Sequence, residues 1–241
     1  MGKDKNTVDT IAGQYSKETL YYLLHRRSVS RKKLENPGPT DSELRQILTA
    51  ASRVPDHGKM SPFWFMIFRG QDKDAFTNVL KSCLAEDKPK KDEEALEKTA
   101  SKIMAPPLAI AVISAPKPSK IPVWEQFMTV GAACQNLVLS ANALGYGVNW
   151  LTEWYSYDPR IKDALKLDEG ENIAGFFFIG TAQDVPSDRE RPDIGQITTF
   201  WHPENMVVKK GDTGKTKNKT AKASTGFTLP AYLSLNSDEE I

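Results

Sequence analysis

The stretch VWEQFMTVGAACQNLVLSANALGYGVNWL, residues 123 to 151, decides the fold class of this chain. Up to about Leu144 it predicts one long helix that is apolar around most of its circumference, with small residues from Gly131 to Ala133. A helix of this kind is buried on several sides, either in a core or in an oligomer interface. The glycines of GYG end the helix, and the residues up to Leu151 predict a strand.

Three further segments predict buried strands because they are short, apolar and bounded by proline, glycine or charge. They are FWFMIF (63–68), PPLAIAVISAP (106–116) and IAGFFFIG (173–180). Helices are predicted after an N-cap at Ser16, after the capping box of Thr40 and Glu43, over residues 72–84, and after an N-cap at Asp158. This alternation of helices and strands predicts a layered α/β or α+β domain.

Composition and charge argue against several classes of function, although a local basic patch stays possible. The 241 residues include 32 Lys and Arg against 31 Asp and Glu, so the chain lacks the basic excess typical of nucleic-acid binding. No stretch approaches the roughly 18 apolar residues of a membrane span, and the N-terminus lacks the apolar segment of a signal peptide. Cys83 and Cys134 form no CxxC pair, which favours a reduced, cytoplasmic compartment.

The chain is predicted to hold one domain between two flexible ends. Residues 1–15 are polar and predict a flexible N-terminus, residues 16–210 show no shift in composition, and residues 211–241 predict a flexible C-terminal tail. The tail contains GDTGKT, which resembles the end of a phosphate-binding loop. The full motif requires glycine where this chain has Lys209, and a helix must follow, so the tail does not predict nucleotide binding.

The histidines do not predict a metal site or a catalytic dyad. His25, His57 and His202 lie far from one another and from both cysteines in the chain. Asp56 and His57 are neighbours in an extended segment, where adjacent side chains point apart. His57 is therefore either a loop residue bonded to a nearby carbonyl or a contact for a ligand.

The basic segment HRRSVSRK, residues 25–32, has two interpretations. Its arginines offer planar sets of donors that suit a phosphate or the polar edge of a ring. They also suit a solvated helix end, where positive charge is favoured by the helix dipole. The segment alone does not decide between these.

Four motifs occur together and in order: RRSVSR (26–31), LRQILTAASRVPDHGKMSPFWFMI (44–67), IPVWEQFMTVGAACQNLVLSANALGYGVNWLT (121–152) and IAGFFFIGTAQ (173–183). This combination, over roughly residues 18–201, resembles the flavin-dependent nitroreductase family in its small YdjA-like branch. The resemblance implies a nitroreductase-like, three-layer α+β fold with a central, mainly antiparallel sheet flanked by helices. It also implies a homodimer with FMN at the subunit interface.

The resemblance implies contacts to two nucleotide cofactors. Three segments match FMN contacts: Arg26, Arg27 and Ser28; Arg53 and His57; and Trp150, Leu151 and Thr152. The family pattern has Trp-Arg-Ser in the third segment, so at position 151 this chain can bond flavin only through its backbone. A fourth segment matches an NAD(P)H-contacting stretch: Ser140, Ala141, Asn142, Ala143, Leu144 and Gly145. Arg189 and Arg191 are further candidates for the FMN phosphate on charge alone.

The function implied is that of an FMN-dependent NAD(P)H oxidoreductase with ping-pong kinetics. Hydride passes from NADH or NADPH to flavin N5, and then to a nitroaromatic, a quinone or a similar small-molecule acceptor. The flavin does the chemistry, so no catalytic side chain is expected. Two alternatives share the site: a flavin-binding or sensory module with negligible turnover, and other flavin chemistry such as dehydrogenation of a metabolite.

Overall fold

The computed structural model describes residues 10–201, which fall into two compact units. The larger unit spans Arg27–Ser187, and the smaller combines the described residues before Arg27 with those after Ser187. The predicted domain boundary at residue 16 stays a prediction, and the predicted tail, with its GDTGKT motif and nearby His202, lies outside the described residues. In chain order the elements are α1 (Lys17–His25), β1 (Leu34–Glu35), α2 (Asp41–Ala51), β2 (Phe63–Phe68), α3 (Gln71–Asp87), α4 (Glu93–Ile103), β3 (Leu108–Ser114), α5 (Val123–Ala143), β4 (Gly147–Leu151), α6 (Pro159–Ala164), β5 (Asn172–Ala182) and α7 (Ile194–Ile197).

The larger unit is built on a five-stranded sheet in which every pairing is antiparallel. The strand order is β1-β5-β3-β2, and β4 also pairs with β5. The four predicted strands are all present, as β2, β3, β4 and β5, whereas the two-residue strand β1 was not predicted. Antiparallel pairing selects the α+β class, which confirms the fold that the resemblance implied.

Strand β3 shows how the two faces of the sheet are covered. All seven of its residues are buried, and alternate side chains point to opposite faces. Ala109, Ala111 and Ile113 pack in a cluster with residues of α3, α4 and α6. Leu108, Ile110 and Val112 pack in a second cluster with residues of α2 and α5. The larger unit therefore has three layers, with a sheet between two layers of helices.

Capping residues that are recognisable in the sequence mark where α1, α2 and α6 begin. The Ser16 hydroxyl accepts a hydrogen bond from the Thr19 N–H at 3.1 Å, which makes Ser16 the N-cap of α1. Thr40 and Glu43 form both bonds of the predicted capping box at the start of α2. Asp158 caps α6 as predicted. Each cap satisfies a backbone N–H that has no partner inside the helix and is worth about 1 kcal/mol.

Helix α5 confirms the predicted long helix, but its burial changes along its length. Its second half is buried against the sheet, with Cys134, Leu137 and Ala141 fully enclosed. Its first half leaves large apolar side chains between 46% and 70% exposed; these residues, here called the apolar face of α5, are Val123, Trp124, Phe127 and Met128. Burial on several sides therefore describes only the second half of the helix.

Both cysteines lie inside the larger unit. Cys83 and Cys134 are buried and unbonded, and burial raises the pKa of the Cys134 thiol to about 12. None of the helices in the described range is long and apolar enough to cross a membrane. The cytoplasmic location stays a prediction.

Candidate functional site

Arg27 and Ser28 lie beside strand β4. The next residue, Val29, is buried, and its N–H donates to the Val148 carbonyl at 3.0 Å. A Cβ at Gly147 would lie only 3.0 Å from Cγ2 of Val29, so the glycine permits this close approach. The structure thus brings the Arg27–Ser28 segment alongside the strand that ends in the third predicted segment.

Arg31 ties this region to the turn after β4. Its side chain is only 13% exposed, and Nη1 donates to Oε1 of Glu153 at 3.1 Å and to the Tyr155 hydroxyl at 3.0 Å. The guanidinium carbon lies 5.2 Å from the centre of the Phe178 ring, within cation–π range. Burial strongly raises the pKa of Tyr155, so its phenol stays protonated. The sequence left Arg31 as either a ligand contact or part of a solvated helix end, and it did not predict this bridging role.

Trp150 lies flat on the sheet. Its ring stacks on Phe177 with centroids 5.1 Å apart and an interplanar angle of 27°, and Nε1 donates to the Ala174 carbonyl at 3.4 Å. A Cβ at Gly175 would lie 2.2 Å from Nε1, so the indole fills space that only glycine leaves open. The Trp150 side chain remains 42% exposed, which leaves an aromatic surface available to a ligand.

The other residues of this region differ in what they can offer a ligand. The Leu151 side chain packs against the core, which leaves its backbone as the available group. Thr152 is exposed, and its hydroxyl accepts a hydrogen bond from the Tyr157 hydroxyl at 2.9 Å. Nε of Arg27 donates to the Ser187 carbonyl at 2.9 Å, which fixes the direction of that side chain.

The loop of Arg53 and His57 is held by a polar stripe on α5. Two residues of the stripe bond the loop backbone: the Asn136 amide donates to the Arg53 carbonyl at 3.0 Å, and the Thr129 hydroxyl donates to the Pro55 carbonyl at 3.0 Å. The third residue of the stripe is Glu125, whose carboxylate oxygen Oε2 lies 2.7 Å from Nδ1 of His57. The polar stripe of α5 thus consists of Glu125, Thr129 and Asn136. Their spacing of four and seven positions places them on one side of the helix.

His57 and Asp56 have separate partners, as their positions in the chain predicted. The Asp56 carboxylate accepts the N–H groups of Met60 at 3.1 Å and Ser61 at 2.8 Å. The sequence gave no reason to pair His57 with Glu125, which lies 68 positions away. One feature of the sequence could have drawn attention to Glu125, namely that it is the sole charged residue in α5.

The backbone just after His57 adopts left-handed conformations. Gly58 has φ +71°, and the non-glycine residues Lys59 and Ser61 have φ +54° and +45°. Each non-glycine residue in this region costs about 1–2 kcal/mol, so the surrounding contacts must impose the conformation. The two hydrogen bonds to Asp56 supply such a constraint. Strain of this kind is concentrated at functional sites in proteins.

In the stretch predicted to contact NAD(P)H, the polar side chains form hydrogen bonds to backbone carbonyls of the protein itself. The Ser140 hydroxyl donates to the Asn136 carbonyl at 2.8 Å, and the Asn142 amide donates to the Tyr146 carbonyl at 2.7 Å. Ala141 is buried and Leu144 is partly buried; the exposed members of the stretch are Ala143 and Gly145. A direct contact to NAD(P)H here stays a prediction.

The remaining candidates belong to the smaller unit. Arg26 follows α1, and its N–H donates to the Tyr22 carbonyl at 2.9 Å. Arg189 is exposed, and Arg191 pairs with Asp188 at 3.1 Å. Within residues 10–201 no group of three or more His, Cys, Asp or Glu side chains could hold a metal ion. The candidate residues for FMN therefore lie in three places: beside and after β4, on the loop between α2 and β2, and in the smaller unit.

Sequence comparison assigns the family. Residues 23–181 match the sequence model of the Nitroreductase family. The chain belongs to the nitroreductase family. Relatives include YdjA of Escherichia coli (strain K12), a proposed NAD(P)H nitroreductase that is 33% identical over 76% of this chain and 100% of its own length. A proposed NAD(P)H nitroreductase of Haemophilus influenzae is 30% identical over 64% of this chain and 84% of its own length. The predicted resemblance to a YdjA-like oxidoreductase is confirmed.

Solved structures share the fold. A nitroreductase-like protein from Bacillus cereus superposes with a TM-score of 0.67 at 21% identity. The superposition covers 79% of the present chain and 99% of the Bacillus cereus chain. A proposed nitroreductase from Desulfovibrio desulfuricans, solved in complex with FMN, gives a TM-score of 0.59 at 20% identity, covering 78% and 100%. At these identities the similarity supports the fold alone.

Proposed function

We propose that this chain is an FMN-dependent NAD(P)H oxidoreductase that reduces a nitroaromatic, a quinone or a similar small-molecule acceptor. The observation that carries the proposal is the Arg53–His57 loop, whose backbone and whose exposed His57 ring are both held by the polar stripe of α5. Bound FMN would supply the redox chemistry, which is hydride transfer from NADH or NADPH to the acceptor in two separate half-reactions.

The donors present fit the polar groups of FMN. An FMN phosphate carries close to two negative charges, and arginine side chains and hydroxyls bind such groups with charge-assisted hydrogen bonds. Arg27 and Ser28 provide one such set beside β4, and Arg53 provides another cation that is exposed on the loop. The carboxylates next to these regions are already engaged, since Glu125 bonds His57 and Glu153 bonds Arg31. Each of these two carboxylates therefore has a partner within the protein.

The aromatic part of FMN requires an apolar surface next to hydrogen-bonding groups. The half-exposed Trp150 ring supplies the surface, and the Thr152 hydroxyl and the Leu151 backbone supply polar groups on adjacent residues. Donors near the polar edge of the ring stabilise negative charge there, which favours a reduced, anionic cofactor. The relatives named as proposed NAD(P)H nitroreductases and the FMN complex of the Desulfovibrio protein support the choice of both cofactors.

The proposed assembly is a homodimer that forms across the apolar face of α5. Trp124 is 70% exposed and Met128 is 58% exposed, and a Cβ added at Gly131, one turn further on, would meet nothing within 4 Å. Such a face favours close approach of a second copy. In sedimentation experiments we expect the wild type to be a dimer, Met128→Asp to be a monomer, and Lys98→Asp, an exposed change on α4, to remain a dimer. A monomeric wild type would contradict this assembly.

The test of the function begins with the absorbance spectrum of the purified full-length protein. We expect a yellow protein that releases FMN on denaturation and oxidises NADH or NADPH when a nitroaromatic or quinone is added. Arg26→Ala combined with Arg53→Ala should release FMN, whereas Arg45→Ala, an exposed arginine of α2 outside the candidate set, should retain it. Colourless protein that does not bind added FMN would refute the proposal. Bound FMN with negligible turnover would instead support the sensory alternative.

A further inference from the structure

We propose that Glu125 is a positioning residue that fixes the tautomer and orientation of the His57 ring, so that Nε2 of the imidazole faces the cofactor. The inference rests on the proposed function and assigns a role to a residue outside the candidate set derived from the family pattern. It follows from the geometry of the loop, the helix and the ring together.

The hydrogen bond determines which nitrogen of His57 carries a proton. Oε2 of Glu125 lies 2.7 Å from Nδ1, a distance typical of a charge-assisted bond. An ionised carboxylate can only accept, so we assign the proton to Nδ1. The His57 side chain is 67% exposed, and Nε2 is left as the nitrogen that can meet a ligand. A neutral ring would accept at Nε2, and a doubly protonated ring would donate there.

The position of Glu125 suits this task. It lies in the first turn of α5, where the helix dipole favours a carboxylate. It is the sole charged residue among the 21 of that helix, so its charge acts on His57 without a competing charge from α5. A polar contact as exposed as this one, with side chains 67% and 45% exposed, contributes only about 0–1 kcal/mol to stability. Stability alone is therefore a weak reason for the contact.

The backbone of the loop is fixed independently of the ring. Thr129 bonds the Pro55 carbonyl, and Asp56 accepts the N–H groups of Met60 and Ser61. These contacts hold the backbone on both sides of His57, but they leave the side chain free to rotate. Glu125 supplies the remaining constraint because it bonds the ring itself. The arrangement resembles metal sites, where the second nitrogen of a histidine is oriented by a carboxylate behind it.

A double-mutant cycle on the dissociation constant for FMN tests the role, using the full-length protein. We expect Glu125→Ala to weaken FMN binding about fivefold, the equivalent of one hydrogen bond. In the His57→Ala background the same change should have no effect, because the residue through which it acts is gone. Glu125→Gln keeps an acceptor and should restore most of the affinity. Glu97→Ala, a half-exposed glutamate on α4, serves as the matched control and should bind like the wild type.

Nitrogen-15 NMR of the imidazole gives a readout that does not depend on FMN. The wild type should show His57 protonated at Nδ1, and Glu125→Ala should shift the ring toward the Nε2–H tautomer. An unchanged tautomer, or an effect of Glu125→Ala that persists in the His57→Ala background, would refute the positioning role. Failure of the wild type to bind FMN would instead refute the proposed function, and the two failures are thereby distinguished.

Discussion

Substitution of Gly175 by alanine should displace Trp150 from the sheet. The added Cβ would lie 2.2 Å from Nε1 and 2.6 Å from Cδ1 of the indole, whereas the next atom, the Leu151 carbonyl oxygen, is at an ordinary 3.5 Å. Since the indole is 42% exposed, it can rotate outward, and the backbone can stay in place. The cost therefore falls on the stack between Trp150 and Phe177.

The expected loss of stability combines two opposing effects. Overpacking of a tight site costs about 1–3 kcal/mol, which includes the roughly 0.5–1.5 kcal/mol of an aromatic pair. Replacement of glycine in a strand by alanine returns about 0.5–1 kcal/mol. We therefore expect Gly175→Ala to lower the free energy of unfolding by about 1–2 kcal/mol. In the Trp150→Ala background nothing close remains to clash, and the same substitution should raise stability by about 0.5–1 kcal/mol.

Urea denaturation at a fixed protein concentration, followed by circular dichroism, measures both values. Tryptophan fluorescence is unsuitable as the main probe because Trp150 itself moves. The reversal of sign between the two backgrounds is the decisive result. If Gly175→Ala were equally destabilising without the indole, the clash would involve the strand itself, and the reasoning from Trp150 would be wrong. Weaker FMN binding by Gly175→Ala would further support a contact between Trp150 and the cofactor.

Three further changes can be measured in the same way. Thr40→Ala removes the N-cap of α2 and should cost about 1 kcal/mol. Arg31→Ala leaves the Glu153 carboxylate without its buried donor and should cost about 1–3 kcal/mol, whereas Lys33→Ala, whose ion pair is half exposed, should cost less than about 0.5 kcal/mol. Burial raises the pKa of Cys134 to about 12, so above pH 9 the unfolded thiol loses its proton first. Stability should fall between pH 9 and 12, and Cys134→Ala should reduce that fall.

Local features of the fold could be predicted from the sequence because their causes are local. Thr40 and Glu43 are three positions apart, and their capping box depends on little else. The strand Leu108–Ser114 was predictable because a short apolar run between prolines has few alternatives. Helix α3 was predicted at residues 72–84 and extends to Asp87, since charged residues at its end carry no signal of periodicity.

The candidate site was less predictable because its contacts join distant parts of the chain. The bond between His57 and Glu125 spans 68 positions, and that between Arg31 and Glu153 spans 122. No pattern of hydrophobicity reports such pairs. The mainly apolar sequence of α5 also gave no indication that Glu125, Thr129 and Asn136 bond the loop. The left-handed conformation of Lys59 was not predictable either, because such conformations depend on constraints from the surrounding structure.

The polar stripe of α5 has a consequence for protein engineering. Glu125, Thr129 and Asn136 each bond the loop that carries Arg53 and His57, so the structure of the loop depends on these positions of the helix. A loop grafted from a relative without the matching helix positions would leave carbonyl groups unpaired and a histidine side chain unrestrained. A library intended to alter this site should therefore vary the three helix positions together with the loop.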